Sequence, residues 1–212
     1  PMNQNSKLGL IVFFFCFVHS SVTAQAEETP PNIVMIMADD LGWNALGCYG
    51  SDLVETPYLD QLAEEGMRFT DAYALSQCLP TRAAIFSGQY GARTGLTSVE
   101  TASPDYAPMI SPGRPEALTP EVYTLFKMLR AAGYATGMSG KMHLGNRPSH
   151  TRAAFPKFGV KAYEEYGRDW IGPANLDVRD KSVTAITDDM IGFIEENHED
   201  PFVAYLAHFS PH

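Results

Sequence analysis

Blocks of apolar residues alternate with amphipathic blocks along the chain. Residues 32–38 are almost continuously apolar and stop at a pair of aspartates, as expected of a strand buried on both faces. Residues 134–139 and 201–207 predict two further buried strands, and alternating side chains predict another strand over residues 67–74. The chain should therefore contain a sheet with buried strands.

Segments with helical periodicity lie between these strand patterns. A Thr-Pro pair, which is typical of an N-cap followed by the first helical residue, precedes predicted helices over residues 57–66 and 120–133. A third helix is predicted at residues 182–197. Residues 88–118 are rich in Gly, Pro and Ser and predict a long surface loop, while residues 144–179 show no regular pattern.

This alternation predicts an α/β fold, a three-layer sandwich around a mostly parallel central sheet. Charged residues directly follow three of the strand patterns, at Asp39-Asp40, at residues 141–143 and at residues 208–212. Open α/β sheets place their sites just beyond the carboxyl ends of the strands. Three separate segments are therefore expected to bring charged groups to one edge of the sheet.

The first 26 residues have the features of a secretory signal peptide. Lys7 supplies a positive charge, residues 8–18 form an apolar stretch, and Ala24-Gln25-Ala26 is a small-residue cleavage site. An apolar run of about 11 residues is too short for a membrane anchor, which needs roughly 20. The sequence predicts cleavage after Ala26 and a periplasmic or secreted protein without a stable membrane anchor.

The charge of the chain restricts its partners. The 212 residues carry a formal net charge of −10, which argues against nucleic acid, because binding to phosphate backbones needs clustered Lys and Arg. An anionic substrate would need a local site made by a metal ion and a few cations. The apolar content of 45% is enough for one domain or part of a larger one.

Asp39 and Asp40 are candidate metal ligands. Two adjacent carboxylates beside a buried strand are costly unless a cation neutralises them, and a hard divalent ion prefers oxygen ligands. The same residues also suit a helix N-cap or a turn, so the pattern alone leaves both interpretations open.

Cys78-Leu79-Pro80-Thr81-Arg82 has the spacing C-x-P-x-R, and a short helix should start near Pro80. Residue 78 would then lie at a helix N-terminus, where backbone N–H groups and the helix dipole favour anions. Arg82, one turn further on, could point back at it. The alternative is a disulfide, because the exported chain would retain two cysteines, Cys48 and Cys78.

Four motifs in order resemble the formylglycine-dependent (type I) sulfatases of the alkaline-phosphatase-like superfamily. They are residues 31–42, the C-x-P-x-R motif, residues 133–143 and Ser210-Pro211-His212. The resemblance implies an alkaline-phosphatase-like sandwich and hydrolysis of sulfuric esters. Departures from the commonest family pattern bear on the substrate subclass, and they occur at Gln77, Leu79, Ser87 and Met142.

The resemblance also implies a metal and a modified nucleophile. Asp39 and Asp40 would bind Ca²⁺, and Cys78 would be converted to formylglycine by a formylglycine-generating or anaerobic sulfatase-maturing enzyme. The aldehyde hydrate at residue 78 would give one hydroxyl to the metal and attack sulfur with it.

Further roles implied by the resemblance concern charge and protons. Arg82 and Lys141 would hold sulfate and hydrate oxygens, His143 would take the proton that lets sulfate leave, and His212 would help the alcohol leave. Family members are usually longer and carry more metal ligands and a further Lys, so residues 27–212 are interpreted as the N-terminal portion of a catalytic domain.

Two rival functions stay open on the sequence. A phosphate or phosphonate ester hydrolase of the same superfamily would handle a similar tetrahedral centre, although such relatives generally use Ser or Thr in place of Cys. A non-catalytic exported binding protein would keep Cys78 as a thiol or a disulfide. For a sulfatase, the expected substrate is a sulfated small molecule or glycan, and analogy with the family favours a sugar sulfate over a steroid sulfate.

Overall fold

A parallel sheet of four strands forms the centre of the structure, a computed structural model that describes residues 30–99, 113–145, 155–160, 162–164 and 183–212. The order of the strands in the sheet is β1-β4-β2-β3, and every pairing is parallel. This confirms the predicted α/β fold. The strands are β1 Ile33–Asp39, β2 Ala135–Gly140, β3 Ala162–Glu164 and β4 Phe202–Pro211.

Helices connect the strands, as a parallel sheet requires. The described helices are α1 Pro57–Glu65, α2 Cys78–Ser87, α3 Gly91–Thr94, α4 Leu125–Ala131, α5 Phe155–Phe158 and α6 Val183–Asn197. Two short 3₁₀ turns, Trp43–Ala45 and Gly47–Tyr49, follow β1.

The core consists of two apolar clusters, one on each face of the sheet. On one face, α2 and α4 contribute Phe86 and Phe126, whose ring centroids are 4.9 Å apart, above Tyr205 of β4. On the other face, α6 packs Ile186 and Met190 against the alternate residues of β4. The arrangement of helix, sheet and helix is the three-layer sandwich that the sequence predicts.

Strand β1 is not buried on both faces, contrary to the prediction from the sequence. Its residues are alternately exposed and partly covered: Val34 is 51% exposed and Ile36 is 63% exposed. The cause is its position at the edge of the described sheet, where β4 is its only partner among the described strands. The strand buried on both faces is β4, which lies between β1 and β2.

The prediction of a strand over residues 67–74 is also wrong. This segment has no strand partner in the described part of the chain, and Met67 and Tyr73 are 80% and 90% exposed. Its backbone is held from the side instead, since the hydroxyl of Tyr49 donates to the carbonyl of Phe69 at 2.6 Å. Alternation of side chains cannot make a strand where no neighbouring strand supplies hydrogen bonds.

One helix start differs from its prediction. Helix α4 begins after Thr124, whose hydroxyl accepts from the backbone N–H of Lys127 at 3.2 Å, whereas the Thr119-Pro120 pair forms a turn. Helix α2 begins at Cys78, which confirms that residue 78 lies at a helix N-terminus near Pro80. Helices α1 and α6 lie where the sequence predicts them.

Several predictions fall on residues outside the described ranges. They are the signal peptide at residues 1–26, residues 100–112 of the predicted loop, and most of the 144–179 segment. Among the described residues, no helix is long and apolar enough to cross a membrane.

A close backbone approach at the end of β2 predicts a strong effect of one added methyl group. Gly140 has φ +101°, and a Cβ there would lie 2.2 Å from the carbonyl oxygen of Ala207. Gly140→Ala should therefore lower the free energy of unfolding in urea by roughly 3 kcal/mol or more.

Gly192 is the matched control, because it lies within α6 and a Cβ there would meet nothing within 4 Å. Gly192→Ala should raise stability by up to about 1 kcal/mol through helix propensity. Equal effects of the two substitutions would contradict this account of the β2 end.

Candidate active site

Charged side chains from three strand ends and one helix start meet at the carboxyl edge of the sheet. Asp39 ends β1, Lys141 follows β2, and His212 follows β4. Cys78 opens α2, which packs on the same side of the sheet as α4. The structure thus brings together residues that the sequence singles out: Asp39, Lys141 and His212, from segments that follow strand patterns, and Cys78, from the C-x-P-x-R motif.

The centre of this cluster is the carboxylate of Asp39, which is only 4% exposed. Its Oδ1 lies 3.3 Å from Nη2 of Arg82, and its Oδ2 accepts a hydrogen bond from Nζ of Lys141. Burial raises the pKa of Asp39, but the hydrogen bond from Lys141 and the charges of Arg82 and Lys141 outweigh it. The net effect is a pKa below the ordinary value of 3.8.

Arg82 is the largest of the fully buried side chains, with 1% of its surface exposed. Its Nη2 donates to Asp39, and its Nη1 donates to the backbone carbonyl of Lys141. The Nε–H group has no hydrogen-bond partner among the described residues. A buried donor without a partner is costly, so this guanidinium retains an unused hydrogen bond within the site.

Cys78 lies beside His143. The Sγ atom is 3.2 Å from Nδ1 of His143, and Cys78 is the first residue of the ten-residue helix α2. Both cysteines of the described residues, Cys48 and Cys78, are free, so the alternative disulfide is not formed. A histidine nitrogen at this distance can exchange a proton with a group on residue 78.

Asp40 and His212 form a more exposed pair at the rim of the site. Oδ2 of Asp40 contacts Nδ1 of His212, and the two side chains are 58% and 54% exposed. The backbone N–H of His212 donates to the carbonyl of Asp39 at 3.0 Å. This bond forms because β4 continues to Pro211 and a register shift after Met37 pairs Asp39 with Pro211. The strand therefore ends four residues beyond its predicted end at residue 207.

Two of the site residues have backbone angles that residues other than glycine rarely adopt. Asp40 has φ +59° and His143 has φ +47°. Both are in the left-handed region, which costs of order 1 kcal/mol or more for a residue with a Cβ and is concentrated at functional sites. The angles turn each side chain away from the direction that a continuing strand would give it.

Asp39 and Asp40 fit part of a site for a divalent cation. Carboxylate oxygens are the donors that Ca²⁺ and Mg²⁺ prefer, and the two cations bound to Asp39 show that this position requires positive charge. Within the described ranges, no cluster of three or more His, Cys, Asp or Glu residues could hold a metal ion. The described residues therefore supply two carboxylate ligands of a set that needs more.

Two residues near the site were not predicted as part of it. Tyr205 is 1% exposed, and burial raises its pKa, with the charge of Arg82 acting in the opposite direction. His208 has a pKa lowered by burial, and its Nδ1 has no partner in the described part of the chain. Tyr205 belongs to the predicted apolar run of residues 201–207, so no signal separated it from core residues. His208 is the first residue of the charged segment that follows this run, where the sequence assigned it no role.

The structure is that of an α/β protein with a parallel sheet and a cluster of charged side chains, among them Arg82 and Lys141, at the carboxyl edge of the sheet. The family model described as Sulfatase matches residues 31–212. The chain therefore belongs to the sulfatase family.

The relatives agree with this assignment. Human arylsulfatase A is 47% identical over 124 residues, which are 58% of this chain and 23% of that protein. The crystal structure of Ps i-CgsB superposes with a TM-score of 0.68 at 27% identity, covering 86% of this chain and 45% of that one. BT4656, solved in complex with its substrate D-glucosamine-2-N,6-O-disulfate, has a TM-score of 0.64 at 27% identity, covering 86% of this chain and 35% of that one.

Each of these alignments covers a larger share of this chain than of the protein it resembles. The chain spans about a quarter of arylsulfatase A and less than half of Ps i-CgsB. The family model establishes the family of the chain, and the superposition establishes its fold.

The buried charge of Asp39 predicts a large effect on stability. In protein freed of divalent metal, Asp39→Asn leaves Arg82 and Lys141 without their counter-charge in a buried position. The free energy of unfolding, measured by urea denaturation, should fall by about 3–5 kcal/mol.

Asp40→Asn is the matched control, since the Asp40 side chain is 58% exposed. It should change stability by no more than about 1 kcal/mol. Similar losses in both variants would show that the buried ion pairs of Asp39 do not distinguish the two carboxylates.

Proposed function

We propose that this protein hydrolyses sulfate esters by way of residue 78 after oxidation of Cys78 to formylglycine. The observation that carries the proposal is the position of Cys78 at the start of α2, with Sγ 3.2 Å from His143, next to the Asp39, Arg82 and Lys141 cluster. Membership of the sulfatase family supports the same reaction. The protein would be exported before it acts.

The start of α2 suits an anionic reaction centre. The first N–H groups of a helix have no partner within the helix, and the dipole places partial positive charge there. Gln77, the N-cap residue, does not cap them with its side chain, because its Oε1 accepts from the backbone N–H of Val99 at 2.7 Å. Sulfate oxygens at residue 78 would therefore meet donors that the protein leaves available.

His143 and His212 divide the proton transfers in this proposal. One hydroxyl of residue 78 attacks in its ionised form, after losing its proton to solvent, and its oxygen forms a bond to sulfur as the bond from sulfur to the alcohol oxygen breaks. His212 donates a proton to that departing oxygen. His143 then takes the proton from the second hydroxyl of residue 78, so that sulfate leaves and the aldehyde is restored. Water adds again to the aldehyde to complete the cycle.

Arg82 and Lys141 stabilise negative charge at the reacting group. Both are cations held in a largely buried setting, at 1% and 12% exposure, where their interaction with an anion is strengthened by the low local dielectric. The free Nε–H of Arg82 offers one further donor for an oxygen. Charge stabilisation of this kind is usually the largest catalytic contribution.

Asp39 and Asp40 would hold a divalent cation, which we propose to be Ca²⁺. When bound, the ion would polarise an oxygen at the reaction centre and favour its ionised form. The remaining oxygen ligands would come from outside the described residues.

A sulfated sugar is the proposed class of substrate. Support comes from BT4656, which is 27% identical and was solved with a disulfated glucosamine. The net charge of −10 fits a protein that binds its anionic substrate by a local set of cations. Aryl sulfates would serve as model substrates.

The modification of residue 78 provides the first test. Protein produced with a formylglycine-generating system should contain an aldehyde at residue 78, detected by peptide mass spectrometry as loss of the thiol and reaction with a hydrazide probe. Cys78→Ser, which keeps a hydroxyl but cannot form the aldehyde in that system, should give neither signal. Active enzyme that contains only the unmodified thiol would contradict the proposal.

The proton-transfer roles provide the second test. In mature enzyme, His143→Ala and His212→Ala should each lower turnover of an aryl sulfate by ~10² or more. Their thermal midpoints should change little, because neither side chain belongs to the apolar clusters.

His198→Ala is the control for this comparison. His198 is 62% exposed and pairs with Glu199 at 3.0 Å on the surface, so its loss should leave turnover unchanged. If His143→Ala turned over substrate at the control rate, His143 would not be the base.

A further inference from the structure

Both oxygens of the buried Asp39 carboxylate are already engaged by cations of the protein itself. Arg82 faces Oδ1 and Lys141 donates to Oδ2. We propose that Lys141 and the divalent cation compete for Asp39, so that metal binding releases the ammonium group of Lys141 toward the substrate. This inference rests on the proposed function, since it needs a metal ion at Asp39.

The competition follows from charge and distance. A Ca²⁺ ion binds carboxylate oxygens at about 2.3–2.6 Å, while the ammonium of Lys141 is hydrogen-bonded to one of the same two oxygens. A dication on this carboxylate would therefore lie within a few ångströms of the ammonium. Repulsion between them is weakly screened, because Asp39 is 4% exposed and Lys141 is 12% exposed.

Lys141 is the cation that can leave. Arg82 is 1% exposed and its guanidinium is also tied to the backbone carbonyl of Lys141, so it has no room to withdraw. The backbone of Lys141 is fixed by its N–H bond to the carbonyl of Ala207 at 2.7 Å, but its four-carbon side chain can swing about that point.

An alternative position for the ammonium is present nearby. Nζ of Lys141 lies 6.0 Å from the centroid of the Phe209 ring, at the outer limit of a cation–π contact. An ammonium released from Asp39 could approach this ring without losing all of its attraction. Lys141 would then hold Asp39 in the metal-free protein and serve sulfate only in the metal-bound one.

The consequence is a coupling between the binding of metal and the binding of sulfate. Without metal, the Lys141 ammonium is used to neutralise Asp39, and an incoming sulfate gains less from it. With metal bound, Asp39 is neutralised by the ion and the ammonium becomes available. Metal and sulfate should thus bind with positive coupling, each favouring the other.

Chemical labelling of lysines in the mature, full-length enzyme tests this inference. The amine reagent is sulfo-N-hydroxysuccinimidyl acetate, applied with either CaCl₂ or EGTA, in buffer without sulfate or phosphate, and acetylation is measured by peptide mass spectrometry. Acetylation of Lys141 should rise several-fold with Ca²⁺. Lys127 is the internal control, because its Nζ is bound to the carbonyl of Val122 at 2.8 Å and should respond equally in both conditions.

Calcium affinity gives a second readout that does not depend on activity. Lys141→Met removes the competing charge and should tighten Ca²⁺ binding roughly tenfold in isothermal titration calorimetry, about 1.4 kcal/mol. Lys127→Met should leave the affinity unchanged. Asp40→Asn should weaken Ca²⁺ binding and so confirm that the titrated ion is the one at this site.

The outcomes separate the inference from the proposed function. If Ca²⁺ binds, but Lys141 labelling is the same with and without it and Lys141→Met binds Ca²⁺ no more tightly, the competition is wrong and the metal site stands. If the mature enzyme binds no Ca²⁺, or if Asp40→Asn leaves binding unchanged, both the metal assignment and the competition are wrong.

Discussion

The site depends on one constraint, the burial of a carboxylate at the end of a strand. Asp39 is 4% exposed, and an isolated ionised carboxylate at such a position would cost several kcal/mol in lost hydration. The charge is retained because Arg82 and Lys141 approach it from two other elements. Helix α2, strand β2 and strand β1 are therefore tied together at their ends by electrostatics and not only by apolar packing.

The parallel sheet explains why this constraint can be met. In a parallel sheet every strand ends at the same edge, so Lys141, 102 positions from Asp39 in the chain, reaches its carboxylate. Arg82, 43 positions away, reaches the same carboxylate from helix α2, which packs on one face of the sheet. The close contact of Gly140 with the Ala207 carbonyl sets where the backbone of Lys141 begins. Local backbone geometry and long-range charge pairing thus position the same side chain.

The parts of this picture that could be predicted are those with a short-range signal. Apolar runs gave the strands β2 and β4, helical periodicity gave α1 and α6, and the C-x-P-x-R spacing placed Cys78 at a helix start. The position of charged residues after strands indicated the segments that carry Asp39, Lys141 and His212, while the C-x-P-x-R motif indicated Cys78 and Arg82. Each of these patterns involves residues that are close together in the chain, so it can be recognised in a single sequence.

The parts that could not be predicted depend on contacts between distant segments. The edge position of β1 depends on strand order, and the absence of a strand at residues 67–74 depends on the absence of a pairing partner in the described sheet. The partner of Arg82 was also missed. Its place one turn after Cys78 suggested that it points back at that residue, whereas its guanidinium binds Asp39, 43 residues earlier. Periodicity describes one element at a time and carries no information about such pairings.

Several features of the site reduce stability. Asp40 and His143 occupy the left-handed backbone region, and the buried Nε–H of Arg82 lacks a partner among the described residues. Strain and unsatisfied donors of this kind persist where the surrounding structure over-determines them. Here the apolar clusters on both faces of β4 provide that surrounding structure, while the charged residues lie at its rim. The residues at the strand ends can therefore occupy costly positions, because apolar packing on both faces holds the backbone that carries them.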